Sequence, residues 1–338
     1  MAMAPKVNRA TGVELSILIP CFNEADVLPS LRARLLKSLT DLGVTWEVIL
    51  VDDGSADGTY ELLAAMHQAD PRFKAVGLSR NFGHQSAVGA GLAFACGDAV
   101  GIMDADLQDP PEVLVQAFHK LREGYDVVYA IRRKRKESFV KRAAYALFYR
   151  LLSFVSEVSI PLDSGDFCLM SRRVAEVLRQ MPERNVFLRG LRAWAGFRQI
   201  GLEYERAARA AGETKYRFKK LLHLAADGVF AFSLLPLRLA TYLGLGAVVF
   251  SLSAGIFVLV WRLCGFKFMG HAARELPGWT AIFGGLLFIG GVQFLMLGCL
   301  GEYIGRIYTE VKQRPRWIVR DTLGIESGIQ PRSPEVGL

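Results

Sequence analysis

WEVILVDDGSADGTYELLAAMHQ, Trp46–Gln68, carries the pattern on which the fold turns. An apolar run, Trp46–Asp53, ends on two carboxylates; Gly54 and Gly58 follow; Thr59–Gln68 then adopts helical spacing. A short apolar run bounded by turn residues reads as a buried strand, and a 3.6-residue period after it as a helix. The unit repeats in both directions along the chain. Before it, LSILIP (Leu15–Pro20) is a strand and Ala25–Leu42 a helix. After it come a strand KAVGLSR (Lys74–Arg80), a helix Ser86–Ala95, a strand AVGIMDAD (Ala99–Asp106), a helix Pro111–Glu123 and a strand YDVVYAIR (Tyr125–Arg132). This alternation predicts an α/β fold: a doubly wound, mostly parallel sheet with helices on both faces. Ligands bind such sheets beyond the carboxyl ends of the strands, where every candidate residue below falls.

Of 338 residues, 51% are hydrophobic, and the apolar excess is uneven. Leu239–Trp261 and Leu276–Gly301 contain no Asp, Glu, Lys or Arg. As helices rising about 1.5 Å per residue they would extend roughly 34–39 Å, enough for a hydrocarbon core of about 30 Å. The expected organisation is therefore an extension (1–14), a catalytic domain (15–217), a juxtamembrane helix (218–235), a span (236–262), a loop (263–275), a second span (276–303) and a tail (304–338). Basic, amphipathic patterns over Val140–Val155 and Phe218–Phe230 predict interfacial helices. The loop between the spans holds Arg262, Lys267 and Arg274, and the flanks outside the hairpin hold more Lys and Arg. Positive charge collects on the cytoplasmic side, so the catalytic domain and both termini are expected there, on a multi-pass cytoplasmic-membrane protein. Met1–Ser16 has no apolar core of the length a signal peptide needs.

The net charge of +8 concentrates near the membrane-facing segments, which suits anionic lipid head groups and argues against nucleic acid. Five unclustered cysteines fit reduced thiols, not a disulfide frame or a zinc site. The tail after Trp317, short and polar, reads as a loose end.

Four stretches carry chemistry. In GIMDADLQDPPE, Gly101–Glu112, Asp104 and Asp106 stand two apart at a strand end, so both carboxylates can face one side, with Asp109 in the turn beyond. Paired carboxylates with the oxygen donor Gln108 suit Mg²⁺ or Mn²⁺, other ligands coming from water and phosphate. A lone D-x-D by itself favours a solvated turn; the strand before it, Gln108 and Pro110–Pro111 after it favour the metal. In PCFNEADVL, Asn23 and Glu24 can accept hydrogen bonds from ribose or base, while Asn23 also fits a helix cap. In VDDGSADGT, Asp57 suits an N-cap. In LSRNFGHQSAVGAGL, Arg80 and Asn81 end a strand, and His84, Gln85 and Ser86 precede a helix whose free N–H groups favour anions. GAGLAF lies inside the helical pattern and is not a dinucleotide fingerprint.

With DSGDFCLMSRR, AGETKYRFKKL and GEYIGRIYTEVKQRP, these stretches in this order resemble the polyprenyl-phosphate glycosyltransferases of glycosyltransferase family 2, notably the bactoprenol glucosyltransferases. The resemblance runs from about Leu15 to Pro315. It implies a GT-A-type fold and inverting transfer of a hexose, glucose from UDP-glucose first, onto undecaprenyl or another polyprenyl phosphate. By the same resemblance Pro20, Glu24 and Asp53 would hold the nucleoside, with Arg80 in the donor site. Asp104, Asp106 and Gln108 would form the metal and diphosphate set, Asp106 counting also as catalytic. Asp166 matches a carboxylate proposed as catalytic base. Arg132, Arg135, Ser138, Arg209 and Lys215 match phosphate contacts, chiefly to the acceptor. Arg217-Phe218 departs from the pattern, where relatives often have proline. A phosphate monoester with a second pKa of about 6 is already nucleophilic near neutral pH, so Asp166 is expected to orient the sugar or acceptor at least as much as to take a proton. A turn-capping role for it stays open.

Two rivals stand beside this reading. Gln313-Arg314-Pro315-Arg316-Trp317 matches the Q-x-x-R-W signature of processive polysaccharide synthases. Two spans enclose no polymer path, so it reads instead as a basic juxtamembrane anchor with its tryptophan at the membrane interface. A non-catalytic nucleotide-sugar-binding or lipid-translocating protein is the second; the intact acidic set argues against it. Assembly into a homo-oligomer is left open.

Overall fold

The computed structural model describes residues 12–133, 164–181, 183, 188–205, 235–264 and 278–325. The amphipathic patterns at Val140–Val155 and Phe218–Phe230, with Arg135, Ser138, Arg209 and Lys215, lie outside them. The strands are β1 (Leu15–Cys21), β2 (Trp46–Asp52), β3 (Phe73–Leu78), β4 (Ala99–Ile102), β5 (Val127–Arg133), β6 (Ser164–Ser171), β7 (Gln199–Glu205) and β8 (Val319–Leu323). The helices are α1 (Leu28–Thr40), α2 (Thr59–Ala69), α3 (His84–Phe94), α4 (Glu112–Arg122), α5 (Arg172–Gln180), α6 (Leu188–Trp194), α7 (Leu235–Cys264) and α8 (Gly278–Val311).

One eight-stranded sheet runs β7-β5-β6-β4-β1-β2-β3-β8. Its β3-β2-β1-β4 half is parallel, as the βα alternation requires. Beyond it the sheet is mixed, with β6 and β8 running against the other six strands, so it is mostly parallel as expected. Strand β6 enters antiparallel between β4 and β5, while β5 and β7 pair in parallel. Every residue of β1 and β2 is buried, because helices cover both faces. Ile17 and Ile19 join Leu31 and Leu35 of α1 and Leu114 and Phe118 of α4 in one cluster. On the opposite face Leu18 and Val51 meet Gly91 of α3, where an added Cβ would lie 3.1 Å from Val51. Gly91 of GAGLAF thus lets a helix approach a sheet.

Two boundaries differ from expectation with consequences for the site. Strand β4 ends at Ile102, not Asp106, so Asp104 and Asp106 lie in the turn after it. Helix α3 starts at His84, which puts His84 and Gln85 in its first turn.

The described part of the tail after Trp317 is not loose. Val319–Leu323 pairs antiparallel with β3, from Ala75↔Leu323 to Leu78↔Val319, and the Ser79 N–H donates to the Ile318 carbonyl at 2.9 Å. Composition alone hides this strand, since V-R-D-T-L gains its order from the open edge of β3. Trp317, expected at the membrane interface, packs within the unit that holds the sheet. Its ring lies against Gly89 of α3.

The described residues divide into two compact units, one holding α7 and α8 and the other the sheet with its helices and the segment from Arg314 onward. Within the first, a Cβ at Gly244 would come 3.1 Å from the Met296 methyl, so the helices touch there. Many large apolar side chains stand exposed, among them Leu245, Phe250, Ile256, Leu286, Phe294 and Ile304. Phe288–Val311 is long and apolar enough to cross a membrane, the one such stretch among the described residues.

Candidate active site

The loops after β1, β2 and β3 are laced together at the carboxyl edge of the sheet. Asn23, at a φ of 55° that asparagine tolerates better than most residues, donates its N–H to Ser55 Oγ at 2.9 Å. Its Oδ1 accepts the Ala56 N–H at 3.0 Å, so it bridges loops and does not cap α1. The Glu24 N–H donates to Thr59 Oγ1 at 3.0 Å. Gly54 has φ 70°, and a Cβ there would fall 2.6 Å from the Arg80 carbonyl carbon. Only glycine lets those two loops meet so closely. Asp53 is buried, and its two oxygens accept the N–H groups of Phe82 (2.7 Å) and Gly83 (2.8 Å). Expected at the nucleoside, it is placed as a strap for the loop that leads into α3. Burial raises its pKa against those two hydrogen bonds.

Asp57 ties the same loops. Oδ2 accepts the Ala25 N–H at 3.2 Å; Oδ1 accepts the Thr59 hydroxyl at 2.6 Å and the Thr59 N–H at 3.1 Å. The N-cap of α2 is Gly58, one residue on from the expected Asp57. Burial pushes the Asp57 pKa up, but the bonds from Thr59 and Ala25 outweigh it and hold the carboxyl below its ordinary value. A depressed folded-state pKa gives stability that is present above the ordinary carboxylate range and lost as pH falls through the folded value. Asp57→Ala is accordingly expected to destabilise the protein by about 1 kcal/mol at neutral pH. That difference from wild type should vanish in strong acid, as measured by denaturant unfolding across pH.

The chemistry gathers where β4 ends and β6 begins. They run antiparallel with Ile102 opposite Cys168, and Asp104 and Asp166 each lie two residues beyond that pair. His84 Nε2 stands 3.6 Å from Asp104 Oδ1 and 3.7 Å from Asp166 Oδ2. Gln85 Nε2 donates to Asp166 Oδ2 at 2.7 Å, and its Oε1 accepts the Leu188 N–H at 3.4 Å. Arg189 Nε lies 3.4 Å from Asp166 Oδ1. The mostly buried Asp166 is thus surrounded by donors from α3 and α6. Burial raises the Asp104 pKa; His84 opposes this, while Asp109, Asp166 and Asp106 add to it.

Of the other expected residues, Asp106 Oδ1 accepts the Gln108 N–H at 3.1 Å in the tight turn where Leu107 takes φ 57°. Asp109 is buried and accepts the Tyr204 hydroxyl, so it fastens the turn to β7. Pro20 is buried within β1, and Glu24 is half-buried in the loop beyond it. Arg80 is exposed, stacks on the Phe82 ring at 4.1 Å and donates to the Asn81 carbonyl. Arg132 falls on β5. Motif reading noticed His84 and Gln85 without their partners and missed Arg189, which sits in no motif.

Among the described residues, no group of three or more His, Cys, Asp or Glu side chains forms a protein-only metal cage. Asp104, partly exposed amid other acids, nevertheless fits a cation of the Mg²⁺ or Mn²⁺ type, which proteins hold with one or two carboxylates plus substrate phosphate.

The family model described as Glycosyl transferase family 2 matches residues 16–179. An uncharacterized glycosyltransferase of Synechocystis is 45% identical, the match covering 93% of this chain and 97% of that one. The bactoprenol glucosyl transferase of Shigella phage SfII is 39% identical, over 91% of this chain and 98% of that one. Among solved structures, the mannosyltransferase PcManGT from Pyrobaculum calidifontis, in complex with GDP-Man and Mn²⁺, matches over 88% of each chain at 17% identity and a TM-score of 0.42. The chain belongs to glycosyltransferase family 2.

Proposed function

We propose that the protein transfers a hexose, glucose from UDP-glucose in the first instance, to a polyprenyl phosphate with inversion at the anomeric carbon. The observation that carries this reading is the meeting of Asp104 and Asp166 across His84 at the carboxyl edge of the sheet. The relatives named bactoprenol glucosyl transferase support the lipid acceptor.

The loop carrying Glu24 takes the nucleoside, with Arg80 beside it, and Asp53 keeps the neighbouring loop in place. Asp104 and Asp106, with Gln108, would hold Mg²⁺ or Mn²⁺, which would supply charge neutralisation for a leaving diphosphate. A phosphate oxygen of the acceptor attacks the anomeric carbon from the face opposite the diphosphate. The new C–O bond forms as the old one breaks, and its electron pair departs with the nucleoside diphosphate. Asp166, held by Gln85, His84 and Arg189, orients the sugar and faces the positive charge that develops on it. Arg132, Arg135, Ser138, Arg209 and Lys215 screen the acceptor phosphate.

Helices α7 and α8 form a two-span hairpin that keeps the lipid within reach. At 30 and 34 residues, and about 1.5 Å per residue, both exceed the length a bilayer core needs. Among the described residues nothing covers their exposed apolar side chains, which suit contact with lipid. The catalytic unit and both termini are cytoplasmic by the placement of positive charge.

The test incubates membranes carrying the full chain with polyprenyl phosphate, Mg²⁺ or Mn²⁺ and a panel of nucleotide sugars, and identifies the lipid product by mass. One sugar per lipid is expected, with UDP-glucose the best donor. A ladder of products, or no lipid product with any donor, overturns the reading.

A further inference from the structure

We infer that Trp317 is a positioning residue of the transfer site, acting through α3 on Gln85 and, beyond it, Asp166. The inference rests on the reading of Asp166 given above. A Cβ at Gly89 would come 2.9 Å from Cζ3 of Trp317, so the absent side chain is the notch in which the indole sits. Gly89 is one turn from Gln85, an i, i+4 pair on one face of α3. Gly91, about 200° around the helix from Gly89 at about 100° per residue, meets Val51 and Leu18 of the sheet. The helix is therefore held from both sides, by the sheet at one glycine and by the indole at the other.

Trp317 is itself fixed by its neighbours. Its two flanks are anchored, with Ile318 bonded to Ser79 and the Arg316 guanidinium donating to the Glu183 carbonyl at 3.3 Å. Strand β8 follows at once, Arg320 stacking over Tyr60 at 4.9 Å. A ring so held sets the rotation and height of α3. The 2.7 Å bond from Gln85 to Asp166 depends on that setting, as does the place of His84 between Asp104 and Asp166. A misplacement near 1 Å in a reacting constellation costs on the order of 100-fold in rate, so the packing of one indole has leverage on catalysis.

The experiment compares Trp317→Ala, Trp317→Phe and Gly89→Ala with wild type in the full chain, measuring kcat, donor KM and melting temperature. Trp317→Ala and Gly89→Ala are each expected to lower kcat by about tenfold or more, with donor KM changed less than about threefold. Trp317→Phe, keeping a flat ring in the notch, should recover most of kcat. Wild-type kcat in Trp317→Ala overturns the inference. So does a silent Gly89→Ala, the result expected of a membrane-interface tryptophan, or a Phe variant as impaired as Ala at matched folded fraction. If wild type does not glycosylate polyprenyl phosphate, the acceptor reading fails by itself. The same variants, read by nucleoside diphosphate release without acceptor, then still decide the role of Trp317.

Discussion

Asp104→Asn is expected to slow sugar transfer by about a thousandfold or more while leaving the fold intact. The side chain sits at the end of β4 with three other acids near it, and burial and those acids together raise its pKa. Such crowding is unfavourable in the protein alone and becomes favourable when a cation arrives, the usual inversion of local charge around a bound metal. The amide keeps size and shape but removes the charge that would hold the cation against the diphosphate. Melting temperature without metal should therefore not fall, because substitution relieves like-charge repulsion. The discriminating measurement is the melting temperature with Mn²⁺ and nucleoside diphosphate. Wild type should be stabilised by mass action and Asp104→Asn should not. Unchanged turnover in the variant, or equal stabilisation by the ligands, would remove the metal from this position.

Asp166→Asn tests orientation against proton transfer. Asp166 accepts a hydrogen bond from Gln85 and has His84 and Arg189 at ion-pair distance, which suits a carboxylate facing developing positive charge. The acceptor phosphate supplies its own nucleophile, since its second ionisation lies at about 6. The expected result is a fall in kcat of about 100-fold with donor KM nearly unchanged, a loss of transition-state stabilisation and not of binding. The sign of the pH dependence separates the roles. If the acceptor phosphate sets the acid limb, activity still rises with pH through about 6 in Asp166→Asn, only lower throughout. If Asp166 is the base, that limb disappears in the variant.

Much of the first half was legible because it is local. LSILIP and WEVILVDD are continuous apolar runs since both faces of β1 and β2 are covered, and period and turn residues report such burial directly. The D-x-D just beyond β4, the helical setting of GAGLAF and the apolar helices α7 and α8 were likewise readable from spacing and composition.

What sequence by itself determined, then, is a set of strands and helices, the edge at which acids collect, and the family to which the motifs point. Tertiary structure decided which acids meet. Asp104 and Asp166 are far apart in the chain and face each other only because β6 enters antiparallel beside β4. Arg189 joins them from a helix with no motif of its own, and Asp53, expected at a ligand, turns to bind two backbone N–H groups. The last strand and the seat of Trp317 were decided in the same way. Their order comes from the open edge of β3 and the notch at Gly89, and no local pattern records a partner that is distant along the chain.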